Sequence, residues 1–528
     1  MSRNITVLSY DIGTTGVKTC LFNIGKSIEL MSFAAAGYNL YVLPNGGAEQ
    51  EPDEWWEALC ETTRKVLNDS ALPPEQIDGI SFCSQMQGLV LVGKDGRHIR
   101  RAMSYMDQRA QKQLEKGLAH GFQIAGANVF KLLKSLKITG AVAASVKDPV
   151  WKYKWVEENE PQSFEKIYKW LDVKESVVCR MTGEFIMTPD SAFAALLYDI
   201  RKGGQRFSRE MCEMLGVNFE HLPKIIDCSQ KAGELSEKPA SELGLVKGIP
   251  VFGGGGDASL IGVAAGAVEP NDTHVYWGTS GWVGTVVEKS IVDAAAMVAA
   301  IVGAEKGKYN YFAELETAGK CLEWARDNIV LDDIGAYSEK TEASLVYKIM
   351  TDSASETPAG SGGVMFAPWL HGNRCPFEAP DARGMFFNIS LETTKAQLIR
   401  AVLEGVCYHL RWFIETQEKK VKTSDALRFA GGGAVSPFIC QMLADCTGKR
   451  VETVKSPQNA GSVGAAVLAA VGLGVIGSIS ECKSLIPVDR VFEPDFSNKL
   501  IYDKFFEVYK KIYKTNKNLF KSINSKKQ

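Results

Sequence analysis

Apolar positions dominate the opening ITVLSYDIG from Ile5, which predicts a buried strand, and GVKTCLFN from Gly16 predicts a second strand facing it across a tight GTTG turn. The period then changes. Pro52 and Asp53 begin a segment in which Trp56, Leu59, Cys60, Thr63, Val66 and Leu67 recur at helical spacing. IDGISFC predicts another strand, and LVLVGKDGRHI a hairpin on its Lys-Asp-Gly turn. Between about 110 and 245 the pattern is mostly helical, broken by turn residues at Met181–Glu184 and Arg201–Gly204. At Gly248 to Val251 the order of strand, glycine turn and helix starts again, which predicts a first domain over 1–247 and a second over 248–490. SASETPAGSGG at 353–363 reads as a loop leading to the strand VMFAPWL. In a final segment, 491–528, Leu500, Ile501, Phe505, Val508, Tyr509, Ile512 and Tyr513 predict a terminal helix docked by its apolar side. Its nine lysines from Asn498 onward stay in water.

A length of 528 residues agrees with two domains. With 60 Lys and Arg against 62 Asp and Glu, the charge is nearly balanced, which excludes a general nucleic-acid binder and points to a small-molecule partner. The 12 cysteines form no C-x-x-C pair, so they read as reduced thiols, and the N-terminus enters a strand with no export signal ahead of it; the expected location is cytoplasmic. The stretch Asn459–Ser480 carries no charge, but its five glycines favour a tightly packed buried helix and a turn over a membrane span.

Chemistry concentrates in three places. Asp11-Ile12-Gly13-Thr14-Thr15-Gly16 with Lys18 places an acid at a strand end before a turn of backbone N–H groups and hydroxyls, an anion cradle suited to a nucleotide phosphate, with Asp11 holding Mg2+. VYWGTSGWVGTV at 275–286 repeats that hairpin in the second half, and two phosphate hairpins resemble the duplicated ATPase architecture of actin, heat-shock proteins and sugar kinases. The resemblance implies an α/β, two-domain, actin-like (ribonuclease H-like) fold with the nucleotide in the interdomain cleft. VFGGGGDASL at 251–260 supplies side-chain-free residues for backbone approach to a phosphate, and Asp257 as the carboxylate that takes a proton from the acceptor hydroxyl. A helix N-cap would explain the aspartate but not four glycines.

Ordered motifs extend this over residues 4 to 480. DIGTTGVK, CSQMQG at 83–88, SYMDQR at 104–109, GGGGDA, WGTSG, GNRCPFEAPDARGMFF at 372–387, AVLEGVCYHLR at 401–411 and FAGGGAVS at 429–436 together resemble the FGGY family of carbohydrate kinases, most closely its xylulokinase branch. The resemblance implies ATP and Mg2+ as cofactors and Asp257 as general base. It implies Thr14, Thr15 and Lys18 at the first phosphate hairpin, Gly278 and Thr279 at the second, and Gly319 beside the nucleotide. Gly432 and Gly433 would lie along adenine and ribose, and Met86, Gln87, Asp107 and Arg109 would line the sugar pocket. Homodimers occur in the family; no interface is legible in this chain.

Gln87, Met106 and Ala258 stand where the xylulokinase pattern has histidine, asparagine and asparagine, changing polar groups that a hydroxyl-recognising site uses for discrimination. The expected activity is phosphorylation of a ketose, a pentulose such as D-xylulose. A family kinase of ribulose, a hexulose, glycerol or a tetritol is the alternative, and an ATPase switch of the actin and heat-shock type is the reading from another class.

Overall fold

One strand plan appears twice. In the computed structural model, which describes residues 4–124, 127–330 and 343–524, β1 (Ile5–Ile12), β2 (Gly16–Ile24) and β3 (Ile28–Gly37) form an antiparallel meander. Helix α1 (Pro52–Ser70) follows, with Pro at its first turn and Trp55, Leu59, Thr62 and Val66 buried along one face. β4 (Gly79–Ser84) and β5 (Pro250–Phe252) add in parallel, giving the spatial order β3-β2-β1-β4-β5. Every residue of β4 is buried, as a central parallel strand covered on both faces requires.

After α2 (Asp257–Ala264), the second half repeats the plan with β6 (Thr273–Trp277), β7 (Gly281–Val287), β8 (Val298–Val302) and β9 (Tyr309–Leu315). Past α3 (Gly319–Ala325) and α4 (Lys395–Gln417), β10 (Ala426–Ala430) and β11 (Arg450–Val454) extend β6 in parallel, with α5 (Pro437–Thr447) between them. The order β9-β7-β6-β10-β11 matches the first sheet position for position. The duplication inferred from two hairpins is thus a duplication of whole sheets.

Helix α6 (Ala460–Gly472) is the uncharged stretch, and its residues 460–470 are all buried between the first sheet and α2. Its small residues are what allow this: a Cβ on Gly464 would stand 2.7 Å from the Leu260 carbonyl oxygen. Among the described residues, no helix is long and apolar enough to cross a membrane.

Three expectations are corrected. The strand at Gly248–Val251 does not open the second sheet: Val251 pairs with Ile80, and Gly255 and Gly256 pair with Cys83 and Ser84, so it completes the first. A strand that ends one sheet and a strand that begins another look alike in sequence; only the partner differs. The loop expected over 353–363 begins inside a helix, Ala343–Ser355, and ends in a short 3-10 turn at Ser361–Gly363. The terminal helix α7 (Phe496–Asn524) docks on Tyr509 and Ile512 as expected, but with Tyr502 and Phe506 beside them, while Leu500, Ile501 and Val508 are exposed. Apolar residues lie around much of α7, and the face inside is the one whose tyrosine hydroxyls reach Arg400 and His409. Residues 525–528 of the lysine-rich tail lie outside the described residues.

Candidate active site

The glycine run lies against β4 at the floor of the cleft, and protein faces each missing side chain. A Cβ on Gly253 would meet Thr188 at 3.0 Å, on Gly254 the Phe82 carbonyl oxygen at 2.7 Å, on Gly255 Leu260 at 2.8 Å and on Gly256 the Met86 sulfur at 2.2 Å. Gly254 also adopts φ +74°, which favours glycine. Packing against Thr188, β4, Leu260 and Met86 therefore gives each of the four glycines a reason within the protein, beside the phosphate approach expected from the sequence. Behind the run, Asp190 Oδ2 accepts the Gly256 N–H at 2.7 Å. Burial alone would raise the Asp190 carboxyl, but Lys174, with the Thr188 hydroxyl and the Gly256 N–H, outweighs it and holds the group below the carboxylate range.

Asp257 is not the helix cap. Gly256 occupies the N-cap of α2, and Asp257 is the first helical residue, with Oδ1 accepting the N–H of Ala258 at 2.7 Å. Its carboxyl is half-buried at the head of the helix. Burial pushes its pKa up to about 7; the Ala258 N–H resists, and the nearby carboxylates of Asp11, Glu314 and Asp172 add to the rise.

Asp11 is the last residue but one of β1, paired across the sheet with Lys18 on one side and Cys83 on the other. Burial raises its carboxyl, while Lys18 and the Cys83 thiol pull the other way. Helix α6 begins directly over it: a Cβ on Gly461 would lie 2.5 Å from Asp11 Oδ2. Lys18 Nζ reaches across the halves to the Gln458 carbonyl at 2.8 Å. Thr14 Oγ1 lies 3.3 Å from the Tyr105 hydroxyl, and Thr15 is exposed at the tip of the turn, which the Gly13 N–H to Gly16 carbonyl bond closes at 2.9 Å.

In the second hairpin the Gly278 N–H closes the turn on the Ser280 carbonyl at 2.9 Å, and the Gly319 N–H donates to the Gly278 carbonyl at 2.9 Å. Ala318 and Lys320 donate their N–H groups to the Thr279 carbonyl at 3.2 and 3.1 Å, which seats the start of α3 on the hairpin. Gly433 packs on the Trp277 ring, and Gly432 faces open space. The nucleotide residues expected from the second half, Gly278, Thr279, Gly319, Gly432 and Gly433, are therefore brought around one strand end. Tyr276 was missed: it stands where Asp11 stands in the first hairpin, and burial, then the Asp11 and Asp257 carboxylates, raise its hydroxyl. Alignment of the two hairpins was the signal that marked it.

The remaining candidates sit beside Met86. Gln87 adopts φ +63°. Asp107 is fully buried and its oxygens accept from the Ala48 N–H at 2.9 Å and from Arg109, while Arg109 also holds Glu49 at 2.7 Å and covers the Trp155 ring. These two brace the 104–109 loop, and their polar atoms are engaged within the protein. Within the second half Arg374 faces Glu314 at 3.5 Å, and between the halves Lys147 faces Glu316 at 3.6 Å, pairings that the sequence did not reveal because the residues lie on different elements.

Residues 6–263 match the N-terminal domain of the FGGY family of carbohydrate kinases, and residues 274–473 match its C-terminal domain. A xylulose kinase from Bacillus subtilis (strain 168) is 28% identical over 520 residues, covering 98% of this chain and 99% of the relative. A gluconokinase from the same organism is 26% identical over 484 residues, covering 91% and 90%. Among solved structures, a ligand-bound xylulose kinase from Lactobacillus acidophilus superimposes with a TM-score of 0.83 at 24% identity, covering 98% of this chain and 99% of that one, a likeness of fold.

Proposed function

Because the chain belongs to the FGGY family of carbohydrate kinases, we propose that it transfers the γ-phosphate of ATP to a hydroxyl of a neutral ketose, a pentulose such as D-xylulose, with Asp257 as general base. The observation that carries this reading is the Asp257 carboxyl itself. Its charge is coupled to Asp11 and Tyr276, the residues that lead into the two hairpin turns, it accepts from the Ala258 N–H at 2.7 Å, and at about 7 its pKa suits a base that accepts a proton at neutral pH.

Asp257 takes the proton of the attacking hydroxyl as the new O–P bond forms and the bond from the γ-phosphorus to the β–γ bridging oxygen breaks, leaving ADP. The proton then passes from Asp257 to solvent. Phosphoryl transfer needs little else but positioning and charge. Thr14, Thr15 and Lys18 from one half and Gly278 and Thr279 from the other would hold the phosphates, with Gly319, Gly432 and Gly433 along the nucleoside; the unfilled space at Gly432 supports that placement. Asp11 suits Mg2+, since desolvation of its carboxylate outweighs the charge that Lys18 supplies, and a cation would make up the difference. Bound there, Mg2+ would offset phosphate charge.

The Arg374–Glu314 and Lys147–Glu316 pairs favour a neutral acceptor over a sugar acid. The carboxylate of an aldonate would find Arg374 and Lys147 already facing Glu314 and Glu316, and would add a fifth negative group to Asp11, Asp257 and those two. The second reading, a polyol or another ketose, is favoured by Gln87, Met106 and Ala258, which alter the polar groups near the acceptor.

An ADP-release assay over D-xylulose, ribulose, hexuloses, glycerol, tetritols and gluconate tests this. A pentulose with the highest kcat/KM is expected. A polyol preferred over every ketose would support the second reading, gluconate as the best substrate would overturn the neutral-acceptor argument, and no acceptor-stimulated turnover would sink the proposal.

A further inference from the structure

We propose that Lys152 is a positioning residue that clasps the two acceptor-facing loops, 84–88 and 104–109, in one fixed relation and thereby sets affinity for the acceptor. The inference rests on the reading that these loops hold the acceptor. Lys152 is fully buried on the helix Pro149–Asn159, and its ammonium donates to the Gln87 carbonyl at 2.6 Å and the Ser104 carbonyl at 3.0 Å. Among the described residues it donates to no carboxylate. A buried cation bonded only to main-chain carbonyls of two separate loops is poorly compensated, and its geometric effect is to tie those loops together.

The loop it ties bears strain. Gln87, at φ +63°, holds a left-handed conformation that non-glycine residues rarely adopt. That conformation persists because the stretch is fixed on each side: Gln85 Nε2 donates to Gln50 Oε1 at 2.9 Å, Lys152 holds the Gln87 carbonyl, and the Gly88 N–H donates to Asp172 Oδ1 at 2.8 Å. Without Lys152, Gln87 is free to relax and the side chains of Met86 and Gln87 change direction. Asp107 and Arg109, braced against each other, keep the second loop rigid, so the clasp transmits position rather than absorbing it.

Burial lowers Lys152 to about 8. The carboxylates of Asp107, Asp172 and Asp148 oppose this lowering, and Lys147 adds to it. Burial and Glu175 raise Asp172, and burial raises Asp148 to about 6; both ionise ahead of the lysine, so the range between about pH 8 and 9 reports mainly on Lys152.

The test is steady-state kinetics of Lys152→Met and Lys152→Arg with the best acceptor from the panel. In Lys152→Met, the acceptor KM is expected to rise about tenfold or more, with the ATP KM and kcat within about threefold, and Lys152→Arg is expected to recover part of the loss. An unchanged acceptor KM, or a fall in all parameters together, would overturn the clasp. If neither variant folds, the unmutated enzyme serves: its acceptor KM should rise across that pH range while its ATP KM stays flat, and a flat acceptor KM overturns the inference. Gln87→Ala separates the clasp from its premise. A raised acceptor KM in Gln87→Ala but not in Lys152→Met removes the clasp alone; the reverse overturns the assignment of the acceptor to these loops.

Discussion

Asp257 carries a charge where its surroundings disfavour one, and function and stability pull in opposite directions there. Its folded pKa of about 7 lies above the ordinary 3.8. Between those values the folded chain keeps a proton that the unfolded chain has released, so this group makes stability fall as pH rises from about 4 to 7. Asp257→Asn should therefore lower turnover by about 100-fold or more while leaving ATP binding intact. The same variant should unfold at higher urea than the unmutated chain at pH 8 and at similar urea at pH 4; because part of Asp257 meets solvent, the gain will be smaller than the shift alone implies. In the unmutated enzyme, kcat should rise through about pH 7, and a pH-independent kcat would demote Asp257 from base to structural residue.

At the scale of elements, α6 and α7 show how packing fixes what composition only permits. The head of α6 touches Asp11, and a methyl group on Gly461 has no room beside its carboxylate. Gly461→Ala is expected to raise the KM for ATP at limiting Mg2+ by about tenfold or more, with a smaller effect on the acceptor KM; equal effects on both would show general damage to the fold instead. On α7, the Tyr509 hydroxyl lies 2.8 Å from His409 Nδ1, while His409 Nε2 lies 2.8 Å from the Cys375 carbonyl. A carbonyl only accepts, so Nε2 carries the hydrogen and Nδ1 accepts from tyrosine. Tyr509→Phe leaves that buried nitrogen with only the long 3.5 Å contact from Trp369, and should destabilise the protein by about 1–3 kcal/mol in chemical denaturation.

Over the whole molecule, two sheets of one plan face a cleft that direct polar contacts bridge near the site. Lys18 reaches the Gln458 carbonyl, and Lys147 reaches Glu316. Helix α6 joins the halves through a buried apolar core, but at the site the contacts are partly solvated, so nucleotide and acceptor together have leverage to draw the walls closer around that core and exclude water as a competing acceptor. Small-angle scattering should show a smaller radius of gyration with acceptor and a non-hydrolysable ATP analogue than with neither; an unchanged radius would count against closure.

Residue type and spacing alone determined the two hairpins, their duplication, the acid after the glycine run and the family these resemble, because phosphate cradles need glycine, hydroxyl and acid within a few residues of one another. The tertiary structure decided what depends on partners distant in the chain. Which sheet Pro250–Phe252 joins is settled by Ile80, and the four glycines answer to Thr188, Phe82, Leu260 and Met86. Glu314 and Lys152 acquire meaning only from Arg374 and the Gln87 carbonyl. A local pattern encodes what a segment can bind; a pKa, a clasp or a shared sheet edge is set by groups that only folding brings into contact.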